Sequence, residues 1–134
     1  MELGGNAPFI IMADNKLEKV ASDLVVAKTR NSGQSCTSPN RIFIEESIYE
    51  KFIEILKAKF TKLKASDGFD KESDVGPLIN SAAIEKIQKL LVDTQSIEAK
   101  LICGGKVVDN FIEPTILLTV WIIWISLEQK YSVR

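Results

Sequence analysis

Apolar positions along this chain switch repeatedly between two periods, and the switches mark out its elements. Phe9-Ile10-Ile11-Met12 is a short unbroken apolar run, the pattern of a strand covered on both faces. Asp14-Asn15 follows as a turn or helix cap. Leu17, Val20, Ala21, Leu24 and Val25 then recur at helical spacing, with Lys16, Glu18, Lys19 and Asp23 on the other side, until Asn31-Ser32-Gly33 stops the pattern. Residues 33–40 read as a polar loop and Arg41-Ile42-Phe43-Ile44 as the next strand. Strand, helix, loop and strand in that order make a parallel crossover unit.

Further on, Ser47 and Glu50 have the spacing of a capping box, ahead of an apolar stripe formed by Ile48, Phe52, Ile55, Leu56, Phe60 and Leu63. Residues 65–77 are rich in Asp, Gly and Ser and read as a surface loop. A third helix is predicted over 81–94, capped by Asn80 and burying Ile84, Ile87, Leu90 and Leu91. Lys100 to Cys103 and Thr115 to Leu118 read as short strands. Trp121-Ile122-Ile123-Trp124-Ile125 prolongs the last run without a turn signal. Residues 116–127 fall short of the roughly 20 apolar residues that a bilayer span needs, so the expectation is a strand, buried or misplaced, and no membrane span. The alternation predicts an α/β fold with a mainly parallel sheet.

Composition narrows the classes. A length of 134 residues, 46% hydrophobic and 26% charged, fits one globular domain. A net charge of −1 gives no reason to expect nucleic acid as a partner. The lysines between Lys57 and Lys64 alternate with Phe60 and Leu63, as on the solvated side of a helix. Two cysteines do not make a disulfide framework, and Met1-Glu2-Leu3-Gly4-Gly5 lacks the character of a secretory signal, so a reducing, cytoplasmic setting is expected. With no histidine, the chain cannot build a Ser-His-Asp triad, a Cys-His pair or a histidine-based zinc site. Any nucleophile here needs a different base.

Two residues stand out as candidates for chemistry. Cys36 sits in Asn31-Ser32-Gly33-Gln34-Ser35-Cys36-Thr37-Ser38-Pro39-Asn40, a loop almost without apolar side chains. Free cysteines are mostly small buried hydrophobes, and a structural Cys36 stands beside a nucleophilic one whose thiolate and oxyanion would be served by backbone N–H groups. Cys103 ends an apolar run and reads as a packed thiol. Glu2 precedes Leu3-Gly4-Gly5, where small residues let a ligand approach its carboxylate; alone it is one acidic residue among many. Gly4-Gly5 and Gly104-Gly105 lack the spacing of a nucleotide-binding loop.

Taken together, Glu2-Leu3-Gly4-Gly5-Asn6-Ala7-Pro8 and Asn31-Ser32-Gly33-Gln34-Ser35-Cys36 resemble, in order and spacing, the glutamate and cysteine motifs of the aldehyde dehydrogenase superfamily. Pro39-Asn40-Arg41, Val75-Gly76-Pro77-Leu78-Ile79 and Phe111-Ile112-Glu113-Pro114-Thr115 add to the likeness, which is nearest to the succinate-semialdehyde dehydrogenase branch. The resemblance covers residues 1–120 as a partial catalytic domain, leaving 121–134 as an atypical apolar tail. It implies a partial three-layer α/β catalytic domain in a truncated chain. It also implies Cys36 as the nucleophile on an aldehyde, Glu2 as the base that activates water, and NAD or NADP as hydride acceptor, with Leu3 bordering the nicotinamide.

The departures from the family pattern bear on activity, and the expectation for this chain alone is a truncated fragment that is weakly active or inactive. The family's main cofactor-binding region, its oxyanion-hole asparagine and its nicotinamide-face lysine belong upstream of these motifs, and its ribose-binding glutamate is not found in residues 121–134. Thr29 takes a position usually aromatic or aliphatic, and Ser38 stands where the semialdehyde branch often has a second cysteine. Family members assemble as homo-oligomers; whether this chain does is left open. The alternative reading is a non-catalytic remnant or interaction protein that associates through the apolar tail around Trp121, Ile123 and Ile125.

Overall fold

The computed structural model describes residues 7–14, 16–96 and 99–118. Strand β1 (Ala7–Ile11) leads through helix α1 (Leu17–Thr29) and a 3-10 turn at Arg30–Gly33 to strand β2 (Pro39–Ile44). The two strands pair in parallel, with Phe9 opposite Ile42, Ile10 opposite Phe43 and Ile11 opposite Ile44. Parallel neighbours need a crossover, and α1 supplies it. Helix α2 (Tyr49–Phe60) follows, and Phe52, Leu56 and Phe60 from it join Ile11, Ala21 and Leu24 in one buried cluster.

The expectation that the first strand is covered on both faces is corrected. Phe9 and Ile11 face the helices, whereas Ile10 is 66% exposed and Phe43 opposite it 37% exposed. Side chains alternate along a strand, and among the described residues one helical layer, α1 with α2, packs on this pair. Two of the three expected layers are therefore present.

The capping box is corrected too. Helix α2 begins at Tyr49 with Ile48 in the cap position and no side-chain cap. A 3-10 turn at Glu46–Ile48 intervenes, and within it the Ser47 hydroxyl donates to Glu45 Oε1 at 2.7 Å instead of to the helix. Glu45 Oε2 accepts the Ala13 N–H at 2.9 Å, tying the loop after β1 to the end of β2. Helix α1 likewise has Lys16 at its cap, without a side-chain bond; Asn15 lies outside the described residues.

Helix α3 (Ser81–Ser96) starts as expected, with Asn80 Oδ1 accepting the Ala83 N–H at 2.9 Å. Of its predicted buried side, Ile84 is buried, while Ile87, Leu90 and Leu91 are half-buried and line a cleft. The lysines around α2 are solvated as expected, Lys59 reaching Glu18 at 3.3 Å and Lys64 reaching Asp70 at 2.9 Å and Glu72 at 3.1 Å.

Strand β3 (Lys100–Cys103) is followed by a small hairpin, β4 (Val107–Val108) and β5 (Phe111–Ile112), and then by β6 (Ile116–Leu118). The hairpin was not anticipated, although Asp109-Asn110 between two apolar pairs is a turn signal and Asp109 takes φ 52°. β3 and β6 pair antiparallel across the hairpin between them, and β4 and β5 pair antiparallel across a two-residue turn, neither link carrying the helix that a parallel crossover usually uses. The parallel pairing expected for the fold is that of β1 with β2. Gly104, at φ +76°, lets β3 turn against Pro114 and Thr115, where an added Cβ would run into the Pro114 carbonyl oxygen. Among the described residues no helix is long and apolar enough to cross a membrane, and no cluster of metal-ligating side chains is present.

Candidate active site

The segment before Cys36 has an unusual backbone. Helix α1 ends with the Thr29 hydroxyl bonded back to the Val25 carbonyl at 2.9 Å. Asn31 (φ 51°, ψ 40°) and Ser32 (φ 55°, ψ 33°) then enter the left-handed region, and Gly33 follows at φ 76°. Asparagine and glycine tolerate this region; serine does so at a cost. The turn closes on itself through Gln34 N–H to Asn31 O at 3.0 Å and Asn31 Nδ2 to Gln34 O at 3.2 Å.

Cys36 and Thr37 are the central residues of a second turn, closed by the Ser38 N–H to the Ser35 carbonyl at 3.1 Å. The Ser35 and Thr37 hydroxyls lie 3.0 Å apart across it. Cys36 is exposed at the tip, and neither it nor Cys103 is in a disulfide. Cys103 is half-buried, and burial pushes its thiol above the ordinary value, in keeping with a packed residue. The polar loop thus presents Cys36 to solvent while the sheet retains Cys103.

β2 starts at Pro39, directly opposite Ala7 at the start of β1. Because the strands are parallel, the segments leading into them arrive at the same end of the sheet. One carries Cys36; the other carries Glu2 and Leu3, which lie outside the described residues. The structure therefore places Cys36 and leaves its meeting with Glu2 and Leu3 undescribed.

Sequence reasoning missed three features here. The Ser32 hydroxyl donates to the Gly76 carbonyl at 3.1 Å, and the Ile79 N–H donates to Gln34 Oε1 at 3.2 Å, so the 76–79 segment braces the cysteine loop. Ser38 is 1% exposed and its hydroxyl is buried without a hydrogen-bond partner. A cleft of about 390 Å³ lies behind the loop, with Thr29, Ser32 and Gly33 on one side and Leu78, Ile87 and Leu90 on the other; Cys36 is not in its lining. The Val75–Ile79 motif was visible in the sequence, but its contact with the loop was not.

These features define an α/β unit that presents a thiol at the entry of a parallel strand pair. The sequence model of the aldehyde dehydrogenase family matches residues 1–121, and the chain belongs to that family. It is 43% identical to a glutarate-semialdehyde dehydrogenase of Pseudomonas putida over 121 residues, covering 90% of this chain and 25% of that protein. It is 39% identical to the succinate-semialdehyde dehydrogenase (NADP(+)) of Escherichia coli over 123 residues, covering 90% of this chain and 26% of that protein. Among solved structures, the glyceraldehyde-3-phosphate dehydrogenase of Methanocaldococcus jannaschii complexed with NADP superposes with TM-score 0.82 at 35% identity, over 85% of this chain and 25% of that one. The chain spans about a quarter of the length of the relatives it matches.

Proposed function

We propose that this chain carries the nucleophile and the general base of an NAD(P)-linked aldehyde oxidation, with Cys36 and Glu2 in those roles and a small semialdehyde, such as succinate semialdehyde, as substrate. The observation that carries the reading is the register of Ala7 opposite Pro39. Cys36 is three residues before Pro39 and Glu2 five before Ala7. The two motifs therefore lead into the parallel strand pair from one end, as a shared substrate carbonyl requires. The semialdehyde follows from the names of the relatives in Pseudomonas putida and Escherichia coli.

The chemistry follows from the two groups. The Cys36 thiolate adds to the aldehyde carbon, forming the C–S bond, and the backbone N–H of Cys36 is a donor for the oxygen that becomes negative. NAD or NADP would supply the hydride acceptor for this carbon, and Cys36 would then hold the acyl group as a thioester. Glu2 then takes a proton from water, whose oxygen attacks the thioester; the C–S bond breaks, the sulfur regains its charge and the carboxylic acid departs.

The described residues do not build a dinucleotide site. Gly104 and Gly105 face Pro114, Thr115 and Leu101 and do not open onto a phosphate, and Leu3, bordering the nicotinamide by resemblance, lies outside the described residues. No cofactor-binding step is assigned to this chain. A cytoplasmic setting accompanies the reading, supported by two cysteines outside any disulfide.

An activated ester tests the two roles without cofactor, because p-nitrophenyl acetate acylates a nucleophilic thiol and the acyl group must then be hydrolysed. Wild type is expected to give a nitrophenolate burst followed by slow turnover. Cys36→Ala should lose both phases, and Glu2→Gln should keep the burst while losing turnover. A burst that survives Cys36→Ala would overturn the assignment. The second reading, a non-catalytic piece that associates with a partner, rests in the sequence on the apolar tail around Trp121, Ile123 and Ile125, which lies outside the described residues; among the described residues the exposed Ile10 and Phe43 favour it. It predicts neither phase.

A further inference from the structure

The left-handed run at Asn31–Gly33 is not what local preference selects. Two consecutive non-glycine residues at φ 51° and 55° are each disfavoured against right-handed backbone, and such conformations persist where surrounding contacts over-determine them. The bonds within the turn, Gln34 N–H to Asn31 O and Asn31 Nδ2 to Gln34 O, are local and would move with it. Two side-chain bonds fix it to the rest of the fold. Ser32 Oγ donates to the Gly76 carbonyl across 44 positions, and Gln34 Oε1 accepts the Ile79 N–H across 45.

The 76–79 segment is itself held at both ends, and ahead of it the Ser66 N–H donates to the Val75 carbonyl at 3.0 Å and the Val75 N–H to the Lys64 carbonyl at 3.1 Å. The Leu78 N–H donates to the Asn110 carbonyl at 2.8 Å, in the turn of the small hairpin, and Asn80 caps α3. A chain of contacts therefore runs from the hairpin and the start of α3, through 76–79, to the residue immediately before the Ser35–Ser38 turn. That turn contains both the thiol and the backbone N–H of Cys36, so they move together.

We infer that Gln34 and Ser32 are positioning residues, whose side-chain bonds to the Ile79 N–H and the Gly76 carbonyl lock the left-handed turn and thereby hold Cys36 in its reactive placement. The inference rests on the reading of Cys36 as nucleophile. Neither residue touches substrate; both act through the turn that carries the cysteine. Gln34 works as an acceptor toward Ile79, so a glutamate there retains the bond and an alanine loses it.

The test is the rate of Cys36 alkylation by iodoacetamide at neutral pH in the purified chain, read by peptide mass spectrometry. Cys103, whose thiol burial holds up, is the internal reference. Gln34→Ala should slow Cys36 by about threefold to tenfold, the effect of losing one hydrogen bond, while Cys103 is unchanged. Gln34→Glu should restore the wild-type rate. Ser32→Gly removes the hydroxyl but makes positive φ easy, so a loss in that variant also reports the bond to Gly76 and not backbone strain; it stands in if Gln34→Ala fails to fold by circular dichroism. A wild-type rate in Gln34→Ala, or a Gln34→Glu variant as slow as the alanine, overturns the inference and leaves Cys36 as nucleophile untouched. If wild-type Cys36 reacts no faster folded than in urea, both readings fail together.

Discussion

Gly33 follows Ser32 in the cysteine loop and Gly76 supplies the carbonyl that Ser32 bonds, and the two glycines should respond very differently to the same added methyl group. An alanine at 33 must hold φ +76°, and its Cβ would sit 3.2 Å from the Lys28 carbonyl oxygen. The left-handed conformation costs an L-residue about 1–2 kcal/mol. The close contact adds to it, because the atom that must yield is backbone in the last turn of α1 and not a flexible side-chain end. A total loss of about 2 kcal/mol is expected for Gly33→Ala. At Gly76 the added Cβ meets only Ser32 Oγ, at 3.5 Å, an ordinary contact with no positive φ to maintain. Gly76→Ala should therefore stay within about 0.5 kcal/mol of wild type, since lost freedom in the unfolded chain offsets small adjustments in the folded one.

Equilibrium urea unfolding measures both, with the slope checked for constancy so that a shifted midpoint reports stability alone. A loss of 2 kcal/mol in a chain of this size corresponds to a fall in Tm of roughly 6–10 °C. Because Gly33 ends the left-handed run three residues before Cys36, Gly33→Ala should also slow Cys36 alkylation. Equal losses at the two glycines, or none at Gly33, would refute the claim that the turn depends on left-handed backbone.

Three further outcomes follow from single residues. The Ser38 hydroxyl is buried without a partner among the described residues, so Ser38→Ala should stabilise the fold by about 1 kcal/mol and raise the urea midpoint accordingly; a loss of that size would mean the hydroxyl is satisfied. Asn80 caps α3 through the Ala83 N–H, so Asn80→Ala should cost about 1 kcal/mol and Asn80→Asp little; circular dichroism and urea unfolding read both. The Ser47 hydroxyl, followed by the Ala13 N–H, holds the Glu45 carboxyl below its ordinary value. Its contribution to stability is present above the ordinary carboxylate range and is lost as pH falls through the lowered folded value. Glu45→Gln should flatten the acid limb of the stability curve, and an unchanged limb would count against the pairing.

Much of this architecture was legible in local pattern. The helical period from Leu17 to Val25 and the apolar runs on either side define the crossover unit, and Asn80 before Ser81 marks the start of α3. The misses have physical causes. Periodicity says which residues are apolar but not what covers them, so Ile10 reads as buried yet is 66% exposed. Ser47 and Glu50 have capping-box spacing, but the nearer Glu45 carboxylate competes for the hydroxyl and a 3-10 turn displaces the helix start. Strands of two residues, Val107–Val108 and Phe111–Ile112, are too short to show a period.

The same division holds at the site. The polar loop around Cys36 and the paired motifs were visible because each is local, whereas the Ser32 and Gln34 bonds join positions 44 and 45 apart and leave no local trace. Asn31-Ser32-Gly33 announced the end of α1, yet its composition carries a second message. Asparagine and glycine are residues that accept left-handed backbone readily, and serine between them is not. A serine kept at φ 55° is explained by its hydroxyl, which in that conformation donates to the Gly76 carbonyl. Helix stop and loop brace thus share Ser32, and the conformational cost there is offset by a bond that helps fix where the next turn, and Cys36 within it, is presented.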